Sequence, residues 1–245
     1  MSSDFDAQVT GIGALSDPTR RALYQYVVAQ PGPVSRDQAA TGVGVARHIA
    51  KFHLDKLLDE GLLAVEFARA AGRRGPGAGR PAKLYSRSSR ELAVSVPQRD
   101  YALAGRLLAK AVTEAQRDGI SIDDALASVS RTAGRNLGEQ VRRQAGESPD
   151  PVSLRAAAID VLTACGYEPR HEGADITLVN CPFHALAQEY TDLVCGVNLE
   201  LIGGLVERLE DPTLEARLAP TLGRCCVRLT DRTTDVTRAV IDKEE

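Results

Sequence analysis

Apolar positions in the front of the chain recur at helical spacing. Over ALSDPTRRALYQYVVAQ (14–30), Leu15, Leu23, Tyr26 and Val27 form one stripe. Asp17 before Pro18 reads as an N-cap and first turn, because proline supplies a helical φ where no backbone donor is needed. Pro31-Gly32-Pro33 ends that helix. Ser35-Arg36-Asp37-Gln38 has the spacing of a capping box and opens a short helix through Ala39 and Ala40, followed by a tight turn at 41–44. A third helix is predicted over 45–60, closed by Gly61. Its Ala50, Leu54 and Leu57 point inward, so Arg47, Lys51 and Asp55 share the outward face with His48 beside them. The period then changes to two. LLAVEFARA (62–70) predicts a strand with Val65 and Phe67 alternating against Glu66, AGRRGPGAGRPA (71–82) a tip, and KLYSRS (83–88) the return strand. Helix, helix, turn, helix, hairpin is the order of a winged helix-turn-helix.

Helical spacing resumes over RDYALAGRLLAKAVTEAQR (99–117), where Leu103, Leu107, Leu108 and Val112 form a ridge, and from Ser121 to about Arg143. That ridge suits a dimer contact, and packing against the rear of the same chain would serve equally well. AGESPDPVS (145–153) reads as a linker. Behind it come a helix over SLRAAAIDVLTAC, a hairpin over GYEPRHEGADITLVN turning at Glu172-Gly173, helical segments CPFHALAQEYTDLVC and GVNLELIGGLVERLE, and a last strand RCCVRLT (224–230). The expected class is α+β: a winged helix-turn-helix over 1–90, a helical dimerisation or connector segment over 91–145, and a small α+β sensor domain over 146–245.

Composition narrows the function. With 43% hydrophobic and 26% charged residues, the 245-residue chain can bury a core. Aromatics at 4% and no Trp argue against a single-strand stacking platform or a carbohydrate cleft. No apolar run reaches membrane-spanning length, and MSSDFDAQVTGIG lacks the apolar segment of a secretory signal, so a cytoplasmic protein without a membrane partner is expected. The net charge of −3 hides an asymmetry: residues 1–100 carry 14 Lys+Arg against 10 Asp+Glu, and residues 101–245 carry 16 against 23. A mildly basic front on an acidic rear suits a polyanion-binding module joined to something else.

Two sets of residues carry candidate chemistry. A recognition helix presents side chains to base edges in the major groove, which points to Arg47, His48 and Lys51. Phe52 either plugs the core or lies against a thymine methyl, and His53 reads as a packed core residue. In the wing tip, Arg73, Arg74 and Arg80 stand among glycines and prolines, placed to reach an adjacent groove or its phosphates. The second set is sulfur. All five cysteines (Cys165, Cys181, Cys195, Cys225, Cys226) fall in the last 81 residues. Their gaps match neither a zinc finger nor a compact ferredoxin run. Cys181, Cys195 and Cys225 or Cys226 stand near element ends, where three thiols can converge as soft ligands. Disulfides are the weaker expectation in a reducing compartment. An enzyme with Cys181 as nucleophile and His184 beside it lacks an evident orienting group or oxyanion loop, so no enzyme is expected.

The combination LSDPTRRALYQYV, HLDKLLDEGLL and GRPAKLYSRS resembles the ArsR-type winged-helix regulators. The resemblance implies a symmetric homodimer on double-stranded DNA at a near-palindromic operator, with half-sites one helical turn apart. The ELCVC-like signature of the metal-sensing members is missing, which disfavours a toxic-metal sensor. NCPFHALA, TDLVCGVNLELIGGLVE and GRCCVRL are similar to the sensor domain of SufR-type regulators, repressors that carry an iron–sulfur cluster. By that resemblance Cys181 and Cys195 are cluster ligands, and the terminal ligand falls on the CV step, which favours Cys226; strand alternation keeps Cys225 open beside it. Cys165, His184, His171 and a non-protein ligand are candidates for a fourth position. The rear also looks like the vinyl-reductase-like domains that hold a small organic ligand, and thiol oxidation without metal is a further reading.

Overall fold

The computed structural model describes residues 3–68 and 81–232, and the chain divides into two compact units at Val94/Ser95. Both units mix helices with small sheets, an α+β architecture.

The front unit contains α1 (Ser3–Gly13), a 3₁₀ turn (Ala14–Ser16), α2 (Pro18–Ala29), β1 (Val34–Ser35), α3 (Arg36–Val43), α4 (Arg47–Asp59), β2 (Leu63–Ala68) and β3 (Ala82–Arg87). Asp17 caps α2 by accepting from the Arg20 N–H at 2.8 Å, with Pro18 in the first turn. Ser35 and Gln38 close the capping box of α3 in both directions. That helix runs past the expected turn to Val43, and Gly44 supplies the left-handed residue (φ 72°) that ends it. Helix α1 and strand β1 had no counterpart in the expected elements. Strand β1 completes an antiparallel sheet of order β1-β3-β2, with Val34 opposite Tyr85 and Val65 opposite the same tyrosine. Leu23, Val27, Ala39, Ala50, Leu54, Leu57 and Tyr85 form the core. The expected inward alternation of Val65 and Phe67 is corrected: β2 is covered only at Leu63, and Phe67 is 61% exposed.

The rear unit contains α5 (Tyr101–Asp118), α6 (Ile122–Ala145), α7 (Pro151–Ala164), β4 (Pro169–Glu172), β5 (Asp175–Leu178), α8 (His184–Glu189), α9 (Thr191–Leu209), β6 (Leu214–Leu218) and β7 (Val227–Asp231). The sheet is antiparallel throughout, in the order β4-β5-β7-β6. Asp150-Pro151, read as linker, repeats the cap-and-proline device of Asp17-Pro18 and starts α7. The break between the rear helices falls at Tyr190, so Cys195 lies inside α9 and does not end the helix before it. Strand β6 was not anticipated.

The helices over 101–145 share their core with the rest of this unit. Ala104 and Val141 belong to the same apolar cluster as Val161, Leu178, Leu201 and Leu229. On α5 the buried stripe is Ala104, Leu107, Ala111 and Ala115, while Leu108 and Val112 of the expected ridge stay exposed. Helices α6 and α9 touch backbone to backbone. A Cβ on Gly134 would stand 1.9 Å from the Leu201 carbonyl oxygen, and one on Gly204 would stand 2.2 Å from that of Arg131. Arg131–Glu200 (2.7 Å) and Arg135–Glu207 (2.9 Å) flank the contact.

Candidate functional site

In the front unit, α4 buries Ala50, His53, Leu54 and Leu57 and turns Arg47, His48, Lys51 and Phe52 outward. Phe52 is 65% exposed, which removes it from the core. His48, Lys51 and Phe52, with Asp55, Lys56 and Asp59, line a shallow surface groove of about 360 Å³. Arg47 is held by Asp37 of α3 at 2.6 Å, and Asp55 by Lys83 of β3 at 3.2 Å. His53 is buried as expected, its Nδ1 accepting from Arg20 Nε at 3.4 Å. Arg73, Arg74 and Arg80 lie outside the described residues.

In the rear unit, three separate segments bring four sulfurs together. Cys181 follows β5 in the turn before α8, where the Phe183-His184 step folds back so that His184 N–H donates to the Cys181 carbonyl at 3.1 Å. Cys195 stands in the second turn of α9. Cys225 and Cys226 precede β7, pinned by Cys225 N–H to Leu178 O (2.9 Å) and by Ala219 N–H to Cys226 O (2.7 Å). Because β7 starts only at Val227, strand alternation does not separate this pair. The Cys225 thiol hydrogen-bonds to both Cys181 and Cys226, and Cys226 in turn to Cys195.

Asn198, fully buried on α9 one turn after Cys195, ties the group to the core. Its Nδ2 donates to Cys225 Sγ at 3.0 Å and faces Cys181 Sγ at 3.9 Å, while its Oδ1 accepts from the buried Tyr167 hydroxyl. A buried amide is stable only where its donors and acceptors are matched, and here sulfur and phenol match them.

The hydrogen bonds divide the thiols by charge. Cys226 is pulled down to about 6, first by its bond from Cys225, and Cys181 is lowered by the same neighbour with help from the Arg99 guanidinium. Cys225, the thiol between them, is pushed up because those bonds hold its proton. Burial pushes Cys195 up to about 12. Lowered and raised thiols therefore alternate along the group, with Cys181 and Cys226 the two that give up a proton more readily than an ordinary cysteine. Among the described residues, no three His, Cys, Asp or Glu side chains already stand in metal-holding geometry. The four sulfurs form a hydrogen-bonded chain, and their chemistry suits a soft metal centre.

The candidates for a fourth position separate cleanly. Cys165 caps α7, its thiol pushed up to about 11 by burial and by Asp100. His171 is exposed on β4 opposite Ile176. His184 is exposed at the rim of a cavity of about 240 Å³ that also reaches Cys181, Arg99 and Asn180. Asn198, Tyr167, Arg99 and Asn180 were not anticipated. Asn198 had a readable signal, a lone amide inside the apolar run GVNLELIGG one turn after a cysteine.

Comparison with known proteins agrees with the front unit. A family model described as a helix-turn-helix domain matches residues 15–66. That span runs from the 3₁₀ turn through α2, α3 and α4 into β2, so the front unit is a DNA-binding module of the helix-turn-helix kind. No curated protein matches the chain. Among solved structures, human N-acetylserotonin methyltransferase in complex with SAM is 16% identical over 65% of this chain, with a TM-score of 0.24. The match covers 55% of that chain, just over half of its length.

Proposed function

We propose that the protein is a homodimeric, DNA-binding transcriptional repressor whose rear unit carries an iron–sulfur cluster on Cys181, Cys195, Cys225 and Cys226. The observation that carries the reading is the convergence of these four thiols, from three segments up to 45 residues apart in sequence, around the buried amide of Asn198. When bound, such a cluster supplies a centre whose charge and integrity respond to oxidants and to iron supply. The chain's own part is to gather sulfur, hold the Cys181 and Cys226 thiols below their ordinary range, and shield them against an apolar core.

Several features support the remaining parts of the proposal. Lys51 and His48 are exposed on the outward face of α4, with Arg47 beside them. Tyr101, Leu108 and Val112 leave an apolar stripe at heptad-like spacing on α5, suited to a second copy of the chain. Two copies imply half-sites about 34–36 Å apart on a near-palindromic operator. Cys195 and Asn198 sit on the same helix that locks onto α6, so a change at the sulfurs is transmitted to the α5–α6 layer through a rigid backbone contact. No catalytic role is assigned.

The test is anaerobic purification followed by iron and sulfide analysis, visible absorption and footprinting on the protein's own promoter. Stoichiometric iron and sulfide, lost in Cys181→Ser, together with a footprint that changes on cluster removal, are the expected results. A colourless protein without iron or sulfide overturns the cluster.

A second reading rests on the Cys225–Cys226–Cys195 bonds alone. Two neighbouring thiols there would give up two protons and two electrons to a peroxide, forming a disulfide and leaving water. Native mass spectrometry distinguishes the two readings, since a disulfide lowers the mass by about 2 Da and a cluster raises it.

A further inference from the structure

A cavity beside Cys181 has a charged lining that extends beyond the thiol group. It holds about 240 Å³, and Arg99, Arg224, His184 and Glu168 are among its lining residues. Two of its charges are already matched: Glu168 faces Arg170 at 3.6 Å, and Arg224 is paired with Glu172. Arg99 is different. Its Nη1 is fixed by neutral acceptors, the Gln98 carbonyl (3.4 Å), the Cys181 carbonyl (2.9 Å) and the Asn180 Oδ1. Among the described residues no carboxylate pairs with it.

That placement is built. Asn180 is 7% exposed, and its Nδ2 donates to the Gln98 carbonyl at 2.9 Å and to the Gly166 carbonyl at 2.6 Å. With both amide protons committed, Oδ1 has one orientation, and that orientation holds Arg99. A half-buried guanidinium without a counter-charge is costly, and its planar fork matches a carboxylate through two parallel hydrogen bonds.

We propose that this cavity binds a small carboxylate against Arg99, placing the rest of the ligand beside Cys181. The ligand supplies the missing counter-charge, the cavity has room for a few carbon atoms, and a small acidic molecule held there lies next to the sulfur group. The proposal does not depend on iron.

The test compares iodoacetate with its uncharged analogue iodoacetamide on the full chain freed of metal, with each cysteine read by peptide mass spectrometry. In either reaction the Cys181 sulfur forms a bond to the methylene carbon as the carbon–iodine bond breaks; iodide leaves with the electron pair and the thiol proton passes to buffer. At Cys181 we expect iodoacetate to react several-fold faster and to saturate, with acetate slowing it. At Cys195 and Cys226, away from the cavity, the uncharged reagent should keep its ordinary advantage. Arg99→Gln should abolish the preference at Cys181, and Arg99→Lys should retain part of it. Faster reaction with iodoacetamide at Cys181, without saturation, overturns the proposal. Broadening of the acetate methyl NMR signal reads the same site without reaction; it should appear with wild-type protein and vanish with Arg99→Gln, and its absence from the wild type overturns the proposal equally. Because the chain is metal-free throughout, failure here leaves the cluster reading standing, and failure of the cluster leaves this site standing.

Discussion

Asn198 concentrates the chemistry of the rear unit in one side chain. Replacing it with leucine removes the donor to Cys225 and strands the Tyr167 hydroxyl in the core, a loss of about 1–3 kcal/mol. Adding Tyr167→Phe removes the stranded group, so stability should partly recover in urea titrations while bound iron stays low. Recovery of both together would show that the amide only fills space. On the front unit, Lys51 is an exposed cation on the outward face of α4. Lys51→Ala should weaken operator binding evenly across sequences and reduce the slope of log K against log salt by about 1, as read by fluorescence anisotropy. At this scale much was legible. The outward placement of Arg47, His48 and Lys51 follows from three apolar positions at helical spacing, and the burial of His53 from its place beside them. Phe52 was not decidable in sequence, because an aromatic at the edge of an apolar stripe fits either side until its neighbours are placed.

In the front unit, the two helices with the strongest start signals formed where expected. Asp17-Pro18 and Ser35-x-x-Gln38 start helices because their side chains bond the chain's own first-turn donors, which needs no distant partner. Weaker signals failed: β1, two residues long, exists only because β3 is there to pair with it. The α6–α9 contact yields a sharp prediction. Gly134→Ala drives a Cβ into the Leu201 carbonyl and should destabilise the rear unit by about 1–3 kcal/mol or more. Urea midpoints of the wild type and of Gly134→Ala read the loss. A second prediction concerns acid. Arg155 joins α7 to Asp211 at 3.2 Å and to Asp231 at 3.0 Å. Burial raises the Asp211 carboxyl, but bonds from Thr213 and Arg155 outweigh it and leave the group below its ordinary 3.8. A depressed carboxyl stabilises the fold above that ordinary value and loses the contribution as pH falls through the lower folded value. The urea midpoint should therefore drop below pH 4 in the wild type, and drop less in Asp211→Asn.

At the scale of the whole molecule, the proposed pairing of two copies is tested on α5. Leu108→Glu with Val112→Glu puts charge on the exposed stripe of α5 while leaving the buried Leu107 and Ala111 untouched. Sedimentation should then show monomer where the parent is dimer, and operator affinity should fall by at least tenfold because two half-sites no longer bind as one unit. A parent that already sediments as a monomer overturns the dimer, and a double variant that stays dimeric overturns this stripe as its contact. By itself the sequence determined the helix-turn-helix and its hairpin, since local spacing, caps and turn residues specify α2, α3, α4, β2 and β3 in order. It also showed that sulfur is confined to the rear. Only the tertiary structure decided which thiols meet, that Cys225 and Cys226 both take part, and that Asn198 and Arg99 stand beside them. Those relations join residues far apart in the chain. They are set by which helix packs on which sheet, and a one-dimensional pattern carries no record of that.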